Sequence, residues 1–301
     1  MPPPLQRGDV VALAATARKV SPQEVESTVA LLQSAGLEVS IPQGLYSKCN
    51  QLAGTDSHRA GLLQQLLDDS EVKAILCCRG GYGTVRIIDS LDFGAFQKRP
   101  KWLVGYSDVT VLHSHIHRHC GIATLHGIMP LNIDAETTLS HPAVATLCNA
   151  LFERQFAVEA EQQPLNREGE ADGVLVGGNL SILYSLCGSP SAIDTRGKIL
   201  FIEDLDEYLY HIDRMMQNLK RNGMLGGLAG LVVGAMSDMH DNAIPYGKTA
   251  EEIIREAVDS YNFPVAFGLP CGHIGTDNQA LILGAHCHLK VGDRTQLTNK
   301  V

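Results

Sequence analysis

Short apolar runs alternate with amphipathic stretches through the first half of the chain. Val10 to Ala15 (VVALAA) is uniformly apolar, as a strand buried on both faces must be. Ser21, followed by Glu24, has the form of a capping box, and Val25, Val29, Leu31 and Leu32 continue it as a helix with one apolar face. Gly36 ends that helix, and Leu37 to Ile41 begins the next strand. The alternation then repeats: a helix from Asp56 to Leu67, a strand from Val72 to Cys78, a glycine turn, a helix through Ile88, a strand from Trp102 to Tyr106 and a helix from Asp108 to His119. Strands separated by helices of this length predict a parallel sheet covered on both faces.

The pattern changes at Leu151. Glu153, Glu159, Glu161, Gln162, Gln163, Pro164 and Glu168 form a polar stretch without periodicity, which reads as a linker over 151–172. Beyond it come further β-rich runs at Gly173 to Val176, Lys198 to Ile202, Leu228 to Val233, Val265 to Phe267, Leu281 to Leu283 and His286 to Val291. Helical patterns interrupt them only around Tyr208 to Leu219 and Ala250 to Ser260. The expectation is an α/β protein with an N-terminal three-layer, parallel-sheet domain over 1–150 and a C-terminal β-rich domain over 173–301.

Composition agrees with a folded chain of that size. Of 301 residues, 45% are hydrophobic and 19% charged, values that exclude wholesale disorder and fibrous repeats. Lys and Arg number 24 against 33 Asp and Glu, a net charge of −9 with no basic run, so a nucleic-acid partner is not expected. The proline-containing start MPPPLQRGDVV lacks the form of a signal peptide, and no apolar stretch is long enough for a membrane span, so a cytoplasmic protein without a membrane partner is expected. Eight cysteines lie scattered in apolar stretches with no CxxC pair and read as reduced thiols.

Candidate chemistry lies at strand ends. In Gly105-Tyr106-Ser107-Asp108 a strand runs straight into a helix, which would lift Ser107 clear of the sheet at a helix N-terminus that favours negative charge. Ser107 reads equally as a helix N-cap, and Val109 stands where a GxSxG elbow has its second glycine. The loop Arg79-Gly80-Gly81-Tyr82-Gly83 ends another strand of the same sheet and could offer a second backbone donor to an oxyanion, or be a structural turn. It does not fit a dinucleotide fingerprint, because Arg86 occupies the place of the third glycine. The second half supplies Glu203 at a strand end and His273 between glycines, each unremarkable alone. With Ser107 they make a nucleophile, an orienting carboxylate and a base in the order Ser, Glu, His. His113, His115, His117 and His119 split into two i,i+4 pairs on different helix faces without an HExxH glutamate, so no metal site is expected.

Taken together, Leu5-Gln-Arg-Gly-Asp9, Ala53-Gly-Thr-Asp56, Arg79-Gly-Gly-Tyr-Gly83, Gly105-Tyr-Ser-Asp108, Gly177-Gly-Asn-Leu180, Ile202-Glu-Asp204, Ile212-Asp-Arg214 and Gly272-His273 resemble, in order and nearly end to end, the LD-carboxypeptidases of the muramoyltetrapeptide carboxypeptidase type. The resemblance implies a nucleophile-elbow fold and a cytoplasmic serine carboxypeptidase with no cofactor, which releases terminal D-Ala from muropeptide tetrapeptides at an L,D bond. It implies Ser107 as nucleophile, His273 as base, Glu203 as its orienter, and the amides of Gly81 and Asp108 as the oxyanion hole. Arg79 is the candidate for the substrate's terminal carboxylate, because a guanidinium can bind carboxylate bidentately. A homodimer is what the family suggests. Two alternatives stay open: a hydrolase of microcin-type peptide nucleotides from a related branch, and a non-catalytic peptide-binding homologue. The chain departs from the family at Ala15-Thr16, where Pro-Ser is usual.

Overall fold

The computed structural model describes residues 1–300. The first half is built on strands β1 (Val10–Ala14), β2 (Glu38–Ser40), β3 (Val72–Cys77), β4 (Trp102–Gly105) and β5 (Thr124–His126), with helices α1 (Pro22–Ser34), α2 (Asp56–Asp68), α3 (Gly94–Lys98), α4 (Thr110–Cys120) and α5 (Pro142–Cys148). The second half contributes β6 (Ala157–Glu161), β7 (Gly169–Asn179), β8 (Ile199–Leu205), β9 (Gly230–Ser237), β10 (Val265–Ala266), β11 (Leu281–Leu283), β12 (His286–Val291) and β13 (Arg294–Asn299), with α6 (Leu180–Leu186), α7 (Leu209–Arg221) and α8 (Ala250–Ala257). No helix among the described residues is long and apolar enough to cross a membrane.

The first sheet runs β11-β5-β4-β3-β1-β2, and its first five strands in sequence are all parallel, with the largely apolar β1, β3 and β4 at its centre. Its chain direction across the sheet reverses at β1, so the loops after β1 and β3 flank a topological switch point. The sixth strand is a difference from the sequence reading. β11 leaves the second half and pairs antiparallel with β5, Leu281 opposite His126. Three apolar residues carry no sign of which sheet they join; the choice is made by the partner surface.

The second sheet runs β10-β9-β8-β7-β12-β13-β6. The long strand β7 divides it: Gly169 to Val174 pair antiparallel with β12, and Leu175 to Asn179 pair parallel with β8. Helices α6, α7 and α8 follow the parallel strands β7, β8 and β9, so this half is a second βα unit with an antiparallel arm. The polar stretch read as linker contains β6, whose Ala-Val-Glu-Ala-Glu alternates buried and exposed positions against β13. Its charged members occupy only the solvent face, which masks the period of two.

One apolar cluster is continuous between the halves, joining Val11, Trp102 and Leu125 of the first sheet to Leu175, Phe201 and Leu289 of the second. Trp102 is fully buried, and its indole N–H donates to the Pro3 carbonyl at 2.9 Å. All eight cysteines are free thiols; Cys77 and Cys78 lie in the core, where burial pushes Cys77 up to about 12 and Cys78 above the ordinary thiol range too.

Gly177 illustrates how closely β7 and β8 meet. It pairs with Phe201 at φ +132°, and a Cβ there would stand 1.9 Å from the Phe201 carbonyl oxygen. Gly177→Ala is therefore expected to lower stability by at least about 1–3 kcal/mol, the usual scale of overpacking. Thermal denaturation of the purified variant checks this; an unchanged midpoint would contradict the packing described.

Candidate active site

The Ser107 turn forms because β4 ends at Gly105 and the chain re-enters helical geometry at once, through a 3-10 turn over Ser107–Val109 that leads into α4. Ser107 holds φ +63°, a left-handed conformation that costs a non-glycine residue on the order of 1–3 kcal/mol. The Oγ is thereby carried above the sheet edge, at the start of a helix. Gly80 permits this: a Cβ on it would lie 2.8 Å from Ser107 Cβ and 3.0 Å from Oγ.

The Gly80–Gly83 loop is tied down by residues that pattern reading passed over. Asp108 is buried, its Oδ2 accepts the Thr84 N–H at 2.9 Å, and burial raises its carboxyl above the ordinary range. Arg59, 1% exposed, donates from Nη1 to the Gly83 carbonyl at 2.8 Å and to the Thr16 carbonyl, and from Nη2 to Asp56. Thr84 Oγ1 meets Thr16 Oγ1 at 3.0 Å. Thr16, which stands where the family usually has Ser, thus retains a hydroxyl and a carbonyl that brace the glycine loop. The Ala53-Gly-Thr-Asp56 motif was a visible signal for Asp56, but nothing in the sequence marks Arg59 as buried.

The other half brings Glu203 and His273 together. Glu203 lies in β8 and is wholly buried, not a solvated strand end. Its Oε2 is 2.6 Å from His273 Nδ1 and accepts the His273 backbone N–H at 3.2 Å. Gly272, at φ +110°, makes the approach possible, since a Cβ there would come within 2.7 Å of Oε2. Ser237 Oγ donates to the His273 carbonyl at 2.6 Å, and Asn278 Oδ1 accepts the Gly272 N–H at 2.7 Å, so both sides of the loop are held. The Tyr106 ring packs against the imidazole with centroids 4.8 Å apart. Burial opposes protonation of His273, but the hydrogen bond to Glu203, the charge of Glu203 and that of Asp204 outweigh it and raise the imidazole above its ordinary value.

Ser107, Gly80, Gly81, Asp108 and His273 line one cavity of about 470 Å³ between the halves. Ser107 is not hydrogen-bonded to His273 among the described residues; such contacts commonly tighten only when substrate is seated. The first half also contributes the cations Arg18 and Arg79 to its lining, and the second half the carboxylates Asp204, Asp206 and Glu207. Arg79, the sequence candidate for carboxylate binding, is engaged: Nη1 meets Glu24 Oε1 at 3.0 Å and the Lys19 carbonyl at 3.5 Å. Asp204 accepts from Asn179 Nδ2 and Leu205 N at 2.9 Å and from Ser181 N at 2.8 Å. Burial first, and the Glu203 charge second, push its carboxyl up to about 7.

The alternating histidines of α4 do not converge. His113 contacts Thr124 Oγ1 and the Gly105 carbonyl, His115 contacts Ser191, His117 contacts Lys198 and His119 contacts the Pro190 carbonyl. Among the described residues no group of three or more His, Cys, Asp or Glu side chains could hold a metal ion.

Comparisons with known proteins agree with this architecture. Residues 9–127 match the family model of the LD-carboxypeptidase N-terminal domain, and residues 172–289 that of the LD-carboxypeptidase C-terminal domain. The chain is 38% identical over 301 residues to a probable murein peptide carboxypeptidase of Bacillus subtilis, covering 98% of this chain and 92% of the relative. The crystal structure of muramoyltetrapeptide carboxypeptidase from Oxalobacter formigenes superposes with a TM-score of 0.88 at 27% identity, covering 97% of this chain and 99% of that one. The fold is shared too by MccF in complex with glutamyl sulfamoyl guanosine, TM-score 0.87 at 21% identity, covering 100% and 98% of the two chains.

If His273 must be neutral to accept a proton, its raised pKa sets the acid limb of the activity profile. The limb in kcat/KM is expected above about 6.5, the ordinary histidine value. Glu203→Gln should lower kcat and also move that limb to lower pH, because the carboxylate that favours the imidazolium is gone. A pH–rate profile of both proteins checks this, and an unmoved limb would contradict the pairing.

Proposed function

The chain belongs to the LD-carboxypeptidase family, and from that membership we propose a cytoplasmic serine carboxypeptidase that removes terminal D-Ala from murein tetrapeptides by hydrolysing an L,D peptide bond. The observation that carries the reading is one cavity flanked by a strained serine at a helix start and a buried Glu203–His273 pair. Ser107 Oγ attacks the scissile carbonyl as His273 takes its proton, and the amides of Gly81 and Asp108 receive the oxyanion. His273 then returns the proton to the leaving amine, D-Ala departs, and water opens the acyl-enzyme by the same relay. Glu203 holds the imidazole tautomer and offsets its charge. The reading includes the homodimer that the family suggests.

The charges of the cavity favour muropeptides over peptide nucleotides. The wall formed by Asp204, Asp206 and Glu207 suits an ammonium on the acyl side, as lysine or diaminopimelate carries, and would repel a glutamyl side chain like that of the ligand in the MccF complex. Glu207 is held in place through Oε2 by His211 Nδ1 at 2.6 Å.

Mass spectrometry of products from a tetrapeptide and from a peptidyl-nucleotide tests the assignment: release of D-Ala from the first is expected, and cleavage of only the second would favour the microcin-type alternative. Ser107→Ala should lower kcat by about 10⁶, the scale of losing a triad nucleophile. An active Ser107→Ala protein would sink the mechanism, and failure of the wild type to react with a serine-directed probe would favour a binding homologue. Glu207→Gln should raise KM for a lysine-containing tetrapeptide by roughly 3- to 10-fold while leaving its norleucine analogue unaffected; equal effects on both would remove the charge argument.

A further inference from the structure

Next to the nucleophile is a second guanidinium that the pattern of motifs did not single out. Arg18 follows β1 at the switch point of the first sheet and lines the same cavity as Ser107. Its stem fills the space that a side chain on residue 81 would need: a Cβ on Gly81 would stand 2.6 Å from Arg18 Nε and 2.7 Å from Cδ. Gly81, at φ +103°, therefore admits both the loop conformation and the close passage of Arg18. The guanidinium has no ion pair or hydrogen bond among the described residues.

The backbone beneath it is fixed. Ala53 N–H donates to the Ala17 carbonyl and Lys19 N–H to the Gln51 carbonyl, both at 3.0 Å. Lys19 Nζ donates to the Asn50 carbonyl at 2.9 Å. Arg79 grips the next turn through the Lys19 carbonyl and Glu24, and Glu24 Oε2 accepts the Ser21 N–H at 2.7 Å. The neighbouring cations are thus spent on holding the loop, whereas Arg18 is presented to the cavity. Arg18 also lines a smaller cavity of about 400 Å³, with Lys19, Asn50, Gln51 and Arg79.

We propose that Arg18 is the specificity-determining residue that reads the free terminal carboxylate of the leaving residue. The proposal rests on the serine carboxypeptidase reading above. In a substrate that carboxylate is separated from the scissile carbonyl carbon only by the amide nitrogen and one Cα, so it must lie beside the oxyanion loop, where Arg18 stands. The carboxylates that the second half adds to the lining, Asp206 and Glu207, repel it. The two sets of charges together fix the direction of the peptide across Ser107: acyl residue toward the carboxylates of the second half, leaving residue toward Arg18. An amide or a chain extended past that residue would present no charge there, which makes the enzyme an exopeptidase. Arg79 acts one step back as a positioning residue for the loop that carries Arg18.

Binding to the Ser107→Ala protein tests this without requiring turnover. By calorimetry, a lysine tetrapeptide ending in free D-Ala is expected to bind roughly 10- to 100-fold more tightly than the same peptide with a terminal amide, the scale of a charge-assisted hydrogen bond. Adding Arg18→Gln should bring the acid down to the affinity of the amide and leave the amide unchanged; Arg18→Lys should restore part of the preference. Thermal melting checks that each variant is folded. Equal binding of acid and amide to the Arg18 protein, no binding of either, or an acid preference that survives Arg18→Gln but is lost in Arg79→Gln would overturn the assignment. Turnover and probe labelling of the wild type test Ser107 separately, so a failure of either idea is recognised without the other.

Discussion

The joint between the halves nearest the nucleophile is the hydrogen bond from Asn179 N–H to Thr110 Oγ1 at 3.0 Å, and the site depends on it. Thr110 is the first residue of α4, immediately after the Ser107 turn, and Asn179 is the last residue of β7. Gly178 lets them meet, because a Cβ on it would lie 2.5 Å from that hydroxyl oxygen. Asn179 then reaches further: its Nδ2 donates to Asp204 at 2.9 Å, and its Oδ1 accepts Ser181 Oγ at 2.8 Å and Ile182 N–H at 3.2 Å at the start of α6. One residue, through its backbone N–H and its side chain, connects the helix that follows the Ser107 turn to the strand that carries Glu203.

That joint explains why the chain tolerates several costly features in one place. A serine in left-handed geometry, two adjacent buried carboxylates and a buried guanidinium each oppose stability when isolated. Here each is met by fixed partners: Gly80 makes room for Ser107, His273 pairs with Glu203, three hydrogen bonds reach Asp204, and Arg59 holds two carbonyls and Asp56. The continuous apolar cluster beneath packs the two sheets against each other, so both halves present their groups to one cavity. What results is a cavity to which the first half brings Arg18 and Arg79 and the second half brings carboxylates.

Much of this was legible before the structure. Period and run length gave four of the five parallel strands of the first half, since long strands buried on both faces leave apolar runs; β5, Thr-Leu-His, is too short to show one. Ser107, Gly81, Glu203 and His273 stood out because glycines beside polar residues at strand ends are local features. β6 escaped because its charges fill the solvent face, and α6 because its Leu-Ser-Ile-Leu-Tyr-Ser-Leu is too short to display a face. Arg18 and Arg59 escaped for another reason. A guanidinium has the same letter whether it is buried, ion-paired or presented to a cavity.

The sequence by itself determined the longer strands and helices and which loops carry chemistry, because those depend on neighbours a few residues apart; the helix expected through Ile88 is instead two 3-10 turns. Only the tertiary structure decided that Arg18 joins Arg79 in lining the cavity of Ser107, that Glu203 is buried against His273, and that β11 crosses to the first sheet. Each of these is a contact between residues far apart in the chain, fixed by close packing and by whether a glycine leaves room, and no local pattern records either.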